Sequence, residues 1–133
     1  MAETKTNALR KLDTAKIPYE IFTYEAGDKI DGISVASKVG LPVEEVFKTI
    51  VAVGKSGGHY VLVIPVADEL DLKKCAAVCG EKAVELLNVK DLLKTTGYVR
   101  GGCSPVGMKK LFPTFIHESA ASLEKITVSA GKI

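Results

Sequence analysis

The sequence of 133 residues predicts an α+β fold in which a small mixed sheet is flanked by short helices. Strand-like and helical segments interleave without the strict alternation of a parallel α/β protein. At the centre of the chain, the apolar segments 48–54 and 59–66 flank the turn-forming KSGG at 55–58, and this pattern predicts a hairpin. Both segments are almost continuously apolar, so we expect cover on both faces of a sheet that is partly closed into a barrel.

The first part of the chain predicts a helix followed by a strand. Residues 4–16 place Leu9 and Leu12 on one helical face, and Pro18 ends the helix. Residues 19–24, YEIFTY, alternate and are rich in aromatic and β-branched side chains, which is typical of a strand.

Caps and apolar patterns define the remaining elements. The segment 33–41 predicts a short helix with Ser34 as N-cap and Gly40 just past its last turn, and Pro42 opens another short helix. Two later helices each combine an N-cap with a closing glycine: 71–80 with Asp71 and Gly80, and 88–97 with Asn88 and Gly97. Late strands are predicted at 113–117 and 126–129.

Composition and charge limit the classes of function. A net charge of +2 argues against retention on nucleic acid by bulk electrostatics alone, although a local basic face is compatible with that total. The longest apolar stretch, at 49–53, is far below the ~20 residues that span a bilayer, so we expect no membrane partner. No signal peptide is evident, and three cysteines match no disulfide framework. We therefore expect one domain over residues 1–133 in the reducing cytoplasm.

The most informative segment is the loop 97–107, GYVRGGCSPVG. Gly101 and Gly102 can adopt positive φ and aim backbone N–H groups at a carbonyl oxygen or a phosphate, as in an oxyanion hole. Ser104 adds a hydroxyl, and Pro105 fixes the turn. An ordinary tight connection between a helix and a strand explains the same composition equally well, so both interpretations stay open.

The cysteines are weaker candidates for chemistry. A nucleophilic Cys103 needs a base or a positive environment, and although Arg100 is near in sequence, no histidine is paired with it. Cys75 and Cys79 share a helical face, where two small core residues are favoured over half of a metal site. We therefore expect no metal or other cofactor.

Lys48 and Tyr24 are candidates for a pocket near the first strands. Lys48 precedes a strand that is predicted to be buried on both sides, so its ammonium group either faces a cavity or extends to the strand mouth while its stem covers the core. Tyr24 ends the predicted strand 19–24 and either offers its hydroxyl to the same pocket or packs in the core.

Taken together, these residues resemble a known family. The matching segments are TYE at 23–25, VFKTIV at 46–51, LDLKK at 70–74, TGYVRGGCSPVGMKK at 96–110, PTFIHES at 113–119 and ITVSAGK at 126–132. They are similar, in order and spacing, to those of the YbaK-like proteins, bacterial Cys-tRNA(Pro) deacylases related to the editing domain inserted in many prolyl-tRNA synthetases. The resemblance covers nearly the whole chain and implies the YbaK fold.

The resemblance also implies an activity and a set of site residues. The reaction is hydrolysis of the ester that joins a mischarged amino acid to tRNA, with no cofactor. The residues that match the family's catalytic positions are Lys48, Gly101 and Gly102, and those that match substrate-binding positions are Tyr24, Ser104, Pro105 and Ser129. In the mechanism that the resemblance implies, the substrate's own thiol attacks its carbonyl, so Cys103 is a bystander.

The resemblance leaves several alternatives open. Relatives also hydrolyse Ala-tRNA(Pro) with an activated water, a catalytically impaired RNA- or nucleotide-binding module would keep the pocket, and a hydrolase could use Cys103. The partners it implies are mischarged tRNA and prolyl-tRNA synthetase, and the protein is expected to be a monomer or a homodimer. Family members continue past the ITVSAGK segment by about 20–25 residues that include a further strand, whose absence would leave a sheet edge unpaired.

Overall fold

The computed structural model describes residues 6–21, 32–98, 103–108, 110 and 112–129. In chain order, its helices are α1 (Asn7–Thr14), α2 (Gly32–Val39), α3 (Leu72–Cys79) and α4 (Val89–Thr96), and its strands are β1 (Phe47–Gly54), β2 (His59–Pro65), β3 (Val84–Leu86) and β4 (Thr114–Ile116). Short 3-10 helices lie at Val43–Glu45 and Glu118–Ser122. None of the helices in the described ranges is long and apolar enough to cross a membrane.

The predicted hairpin is confirmed as the centre of a four-stranded sheet in the order β3–β1–β2–β4. The strands β1 and β2 pair antiparallel from Phe47 opposite Pro65 to Val53 opposite His59. The strand β3 is antiparallel to β1, and β4 is parallel to β2, so the sheet is mixed as predicted. The expected partial barrel is wrong, because β3 and β4 are three residues long and pair with the inner strands instead of with each other.

The two faces of the sheet are covered by different parts of the chain. Because side chains alternate along a strand, Ile50 and Ala52 of β1 share one face, and Val51 lies on the other. The first face packs against Cys75 and Ala76 of α3. The second face is covered by the chain after α4, and the buried and partly buried residues that pack there include Tyr98, Cys103, Met108, Phe112, Leu123 and Ile126.

Helix caps behave largely as the sequence predicts. The Asp71 carboxylate accepts hydrogen bonds from the first turn of α3, Asn88 does the same for α4, and Gly80 and Gly97 end these helices in the left-handed conformation. Ser34 is not an N-cap, because α2 already begins at Gly32.

Two strand predictions fare less well. Residues 19–21 are not part of a strand, and residues 22–24 lie outside the described chain. The expected strand 126–129 is reduced to a single parallel bridge between Thr127 and Val46.

Candidate active site

Lys48 lies near the beginning of β1 and is partly buried. It pairs with Ile64 across the hairpin and shares the face of Ile50, which is the face covered by α3. Within the described ranges, its side chain makes no hydrogen bond or ion pair.

The bridge at Thr127 brings the late part of the chain to the same end of β1. The Phe47 N–H donates to the Thr127 carbonyl at 2.8 Å, and the Thr127 N–H donates to the Glu45 carbonyl at 2.7 Å. In this parallel register Thr127 is level with Val46, and Ser129 follows two residues after this single bridge. The structure thus brings the segment that contains Ser129 to the end of β1 that carries Lys48.

The edge of β1 that faces away from β2 carries two separate partners. Thr127 pairs with its beginning, and the Leu87 N–H donates to the Val51 carbonyl at 2.9 Å near its other end. Between them, the backbone N–H and carbonyl of Thr49 point to this edge and have no backbone partner within the described chain. At this gap, the position of Thr49 on the β1 edge is unpaired, so both faces of the sheet border the same opening.

Thr49 itself was missed by the sequence reasoning. Its Oγ1 is the one buried side-chain polar atom without a hydrogen-bond partner in the part of the chain that the structure describes. Alternation places it between Phe47 and Val51, on the face covered by the segment that contains Cys103. The signal that could have revealed it is a threonine within an otherwise apolar strand, since a buried hydroxyl without a partner costs free energy.

The described part of the loop is anchored close to this face. Cys103 packs against Val51 and Tyr98, and Ser104 is only 1% exposed. The Ser104 Oγ accepts a hydrogen bond from the Val106 N–H at 3.2 Å, so the serine closes a turn across Pro105, which is partly buried.

The Cys103 thiol is poorly suited to nucleophilic attack. Burial raises its pKa to about 11, although an interaction with Thr96 lowers the value slightly. At pH 7 only about one thiol in 10⁴ would be ionised, and the thiolate is the nucleophilic form. This environment supports the interpretation of Cys103 as a bystander.

The described residues that were predicted for the site lie at different places around β1. Lys48 lies on one face, Ser104 and Pro105 belong to the segment that covers the other, and Ser129 follows the bridge at the beginning of the strand. Three further predicted site residues, Tyr24, Gly101 and Gly102, lie outside the described residues.

Two other groups of reactive side chains lie apart from this site. Cys75 packs in the core, and burial raises the pKa of both its thiol and that of Cys79. His117 caps the second 3-10 helix, where its Nδ1 accepts from the Ser119 N–H at 3.1 Å, and its Nε2 is 3.9 Å from Asp68. Within the described ranges, no group of three or more His, Cys, Asp or Glu side chains could hold a metal ion.

Sequence comparison identifies relatives over most of the chain. The model of the aminoacyl-tRNA editing domain family matches residues 31–132. A protein of Enterococcus faecalis (strain ATCC 700802 / V583), named "Putative Cys-tRNA(Pro)/Cys-tRNA(Cys) deacylase EbsC", is 49% identical over 131 residues, which are 98% of this chain and 80% of EbsC.

Solved structures share the same fold at low sequence identity. The hypothetical protein APE2540 superposes with a TM-score of 0.84 at 20% identity, covering 95% of this chain and 83% of the other. A protein described as "a putative trans-editing enzyme for prolyl tRNA synthetase" has a TM-score of 0.81 at 22% identity, covering 98% of this chain and 83% of its own. These likenesses establish the α+β architecture.

Proposed function

Because the chain belongs to the aminoacyl-tRNA editing domain family, we propose that it is an aminoacyl-tRNA deacylase whose substrate is Cys-tRNA(Pro). The observation that carries this proposal is the 49% identity to EbsC over 98% of the chain. The reaction is hydrolysis of the ester between the amino acid and the terminal ribose of tRNA, in the cytoplasm where tRNA is charged.

The need for such an enzyme follows from the sizes of amino acids. A pocket built for proline cannot fully exclude a smaller amino acid, because one missing methylene is worth only about 1–3 kcal/mol of discrimination. Cysteine and alanine therefore reach tRNA(Pro), and a second site has to remove them.

The chemistry we propose uses the substrate's own thiol. Its sulfur attacks the carbonyl carbon, the carbon–oxygen ester bond breaks, and the thiol proton passes to the departing ribose oxygen. The four-membered thiolactone that remains is then opened by water to give free cysteine. Holding the thiol and the ester in attack geometry supplies much of the acceleration, since it replaces free tumbling by an oriented intramolecular step.

The predicted site residues receive roles in this scheme. The backbone amides of Gly101 and Gly102 stabilise the developing oxyanion, while Ser104 and Pro105 shape the loop that faces the ester. Lys48 acts as a charge that anchors the 3′-terminal nucleotide, and Tyr24 and Ser129 line the pocket. The unpaired edge at Thr49 supports this scheme, because a substrate bound there reaches both faces of the strand.

The proposed partners follow from charge as well as from family. A net charge of +2 provides weak independent attraction to RNA, so we propose that a complex with prolyl-tRNA synthetase supplies tRNA specificity. The protein itself acts as a monomer or a homodimer.

The test is the release of labelled amino acid from Cys-tRNA(Pro), Cys-tRNA(Cys) and Ala-tRNA(Pro) at substoichiometric protein. We expect many turnovers of cysteine while alanine is retained. Ser-tRNA(Pro) is a matched control, because its hydroxyl replaces the thiol at the same position and is a much weaker nucleophile. Release of alanine instead of cysteine would establish the alternative deacylase, and tRNA binding without any release would establish a binding module.

Variants assign the residues. Lys48→Ala is expected to abolish release, whereas Lys55→Ala, which removes an exposed lysine from the hairpin turn, leaves it within twofold. Cys103→Ala is expected to retain activity. If this variant loses activity, the result favours the cysteine-dependent hydrolase. Unchanged release by Lys48→Ala would refute the role of this lysine.

A further inference from the structure

Tyr98 lies at the beginning of the loop and is 7% exposed. It packs with Val51 and Cys103, so its ring belongs to the core beneath the loop-covered face of β1. Burial raises the pKa of its hydroxyl, which is therefore neutral at physiological pH. A buried hydroxyl of this kind needs hydrogen-bond partners, and those partners identify its role.

The first partner is in the loop itself. The Tyr98 hydroxyl donates to the Val106 carbonyl at 2.7 Å, and the Val106 N–H donates to the Ser104 Oγ at 3.2 Å. Both backbone polar groups of Val106 are thus occupied, one by Tyr98 at the beginning of the loop and one by the neighbouring Ser104. The position of Ser104 is consequently tied to Tyr98 through Val106.

The second neighbour of Tyr98 is the first turn of the N-terminal helix. This turn is fixed by the N-cap Thr6, which accepts from the Leu9 N–H at 3.3 Å. Ala8, in the same turn, is 2% exposed.

Close packing at Gly107 holds the three elements together. A Cβ atom at this position would lie 2.9 Å from the Tyr98 hydroxyl oxygen and 3.0 Å from the Ala8 nitrogen. The loop, Tyr98 and α1 are therefore in direct contact, with no room for a side chain between them.

We propose that Tyr98 is a positioning residue for the active-site loop, which it fixes by donating to the Val106 carbonyl at the place where Gly107 packs closely against the first turn of α1. The inference rests on the proposed function, because the loop is the part of the chain that is assigned to the aminoacyl ester.

The experiment compares Tyr98→Phe with Tyr60→Phe, which removes the hydroxyl of a tyrosine bonded to Glu81 at the hairpin instead. Single-turnover release from Cys-tRNA(Pro) at saturating protein, binding of the same tRNA and hydrogen exchange of the Val106 amide are measured for both. For Tyr98→Phe we expect the rate constant to fall about 10- to 100-fold, with tRNA affinity within twofold, because small displacements of positioned groups have effects of this size. Exchange at Val106 is expected to accelerate in this variant alone, and Tyr60→Phe is expected to react within twofold of the parent.

Several outcomes would overturn the proposal. They are a Tyr98→Phe rate within twofold of the parent, a loss that Tyr60→Phe shares, a loss that lies entirely in tRNA binding, or unchanged exchange at Val106. If the parent protein releases no amino acid at all, the proposed function fails, and the exchange rates alone then decide whether Tyr98 holds the loop.

Discussion

Two glycine-containing turns of this molecule are each held by a side chain from outside the turn, yet the two anchors differ in chemistry. The hairpin turn 55–58 is held by Glu81, which also bonds Tyr60, whereas the loop segment 103–107 is held by Tyr98. The first anchor is a partly exposed carboxylate and the second is a buried hydroxyl. The comparison shows how the same local task is performed with a charged group and with a neutral one.

The hairpin anchor is built from side chains of two elements that pack together. The Glu81 carboxylate follows α3 and accepts from the Ser56 N–H at 3.2 Å, from the Ser56 hydroxyl and from the Tyr60 hydroxyl. Gly54 makes room for it, because a Cβ there would overlap the carboxylate. The hydrogen bonds from Ser56 and Tyr60 hold the pKa of Glu81 below its usual value.

This difference in chemistry indicates which of the two turns better tolerates the loss of a hydrogen bond. The hairpin turn depends on a charge in water, where neighbouring water can replace lost bonds. The loop depends on buried neutral groups, whose loss leaves other buried groups without partners. We therefore expect the same kind of substitution to cost more at the loop than at the hairpin.

The largest expected effect is that of Gly107→Ala. Gly107 has φ +78°, and an added Cβ would meet backbone atoms of α1 at 3.0 Å. The conformation and the contact together should reduce the free energy of unfolding by about 2–4 kcal/mol and displace the loop. Urea unfolding measures the loss, and release from Cys-tRNA(Pro) is expected to fall with it.

The matched control is Gly57→Ala in the hairpin turn. Gly57 has φ +94°, but an added Cβ would have no heavy atom within 4 Å. Only the conformational cost applies, so we expect a loss of about 1 kcal/mol with unchanged release. Equal losses in the two alanine variants would contradict the difference drawn between the turns.

A smaller effect is expected from Thr96→Val, which keeps the shape of a side chain that is 1% exposed. The Thr96 hydroxyl accepts from the Tyr98 N–H at 3.1 Å and donates to the Leu92 carbonyl at 2.9 Å. Removal of the Thr96 hydroxyl leaves the buried Tyr98 N–H unpaired, which should reduce the free energy of unfolding by about 1–3 kcal/mol. Ser56→Ala in the exposed hairpin turn should cost less than about 0.5 kcal/mol, and the reverse order would refute the distinction.

The smallest effect at neutral pH is expected for Glu81→Gln, but it depends on pH. The folded-state pKa of Glu81 lies below its unfolded value, so its contribution is complete above the unfolded pKa and is lost as pH falls through the folded one. The unfolding midpoint in urea should therefore decrease less between pH 7 and pH 3 in the glutamine variant than in the parent. An identical decrease in both proteins would show that the carboxylate does not stabilise the turn.

Local signals in the sequence predicted the parts of the fold that local chemistry determines. The hairpin follows from two apolar strands around KSGG, and the caps at Asp71 and Asn88 satisfy N–H groups within three residues of themselves. The strand β3 was not predicted because three residues carry no period, and it exists only through pairing with β1. The predicted strand 126–129 is a single bridge for a related reason, since its pairing is with a distant segment.

The resemblance supplied the site residues Lys48, Ser104 and Ser129 from motifs, and their roles stay predictions. The motifs could not show that the segment of Ser104 covers the face of β1 opposite to Lys48, because that depends on packing between distant segments. The unpaired Thr49 hydroxyl could not be predicted, because being without a partner depends on every neighbour in space. Tyr98 was overlooked for the same reason, since its partner, the Val106 carbonyl, comes from the far end of the loop.

The bridge between Thr127 and Val46 has a consequence for the order of folding. The hairpin closes over a four-residue turn, so its formation loses little chain entropy. The bridge joins segments that are far apart in sequence, so its formation loses more. We therefore expect the β1–β2 pair to acquire protected amides early, and the bridge at Thr127 to be protected late, in pulse-labelled refolding. During synthesis, the beginning of β1 would then lack this partner until the segment around Thr127 has left the ribosome and docked.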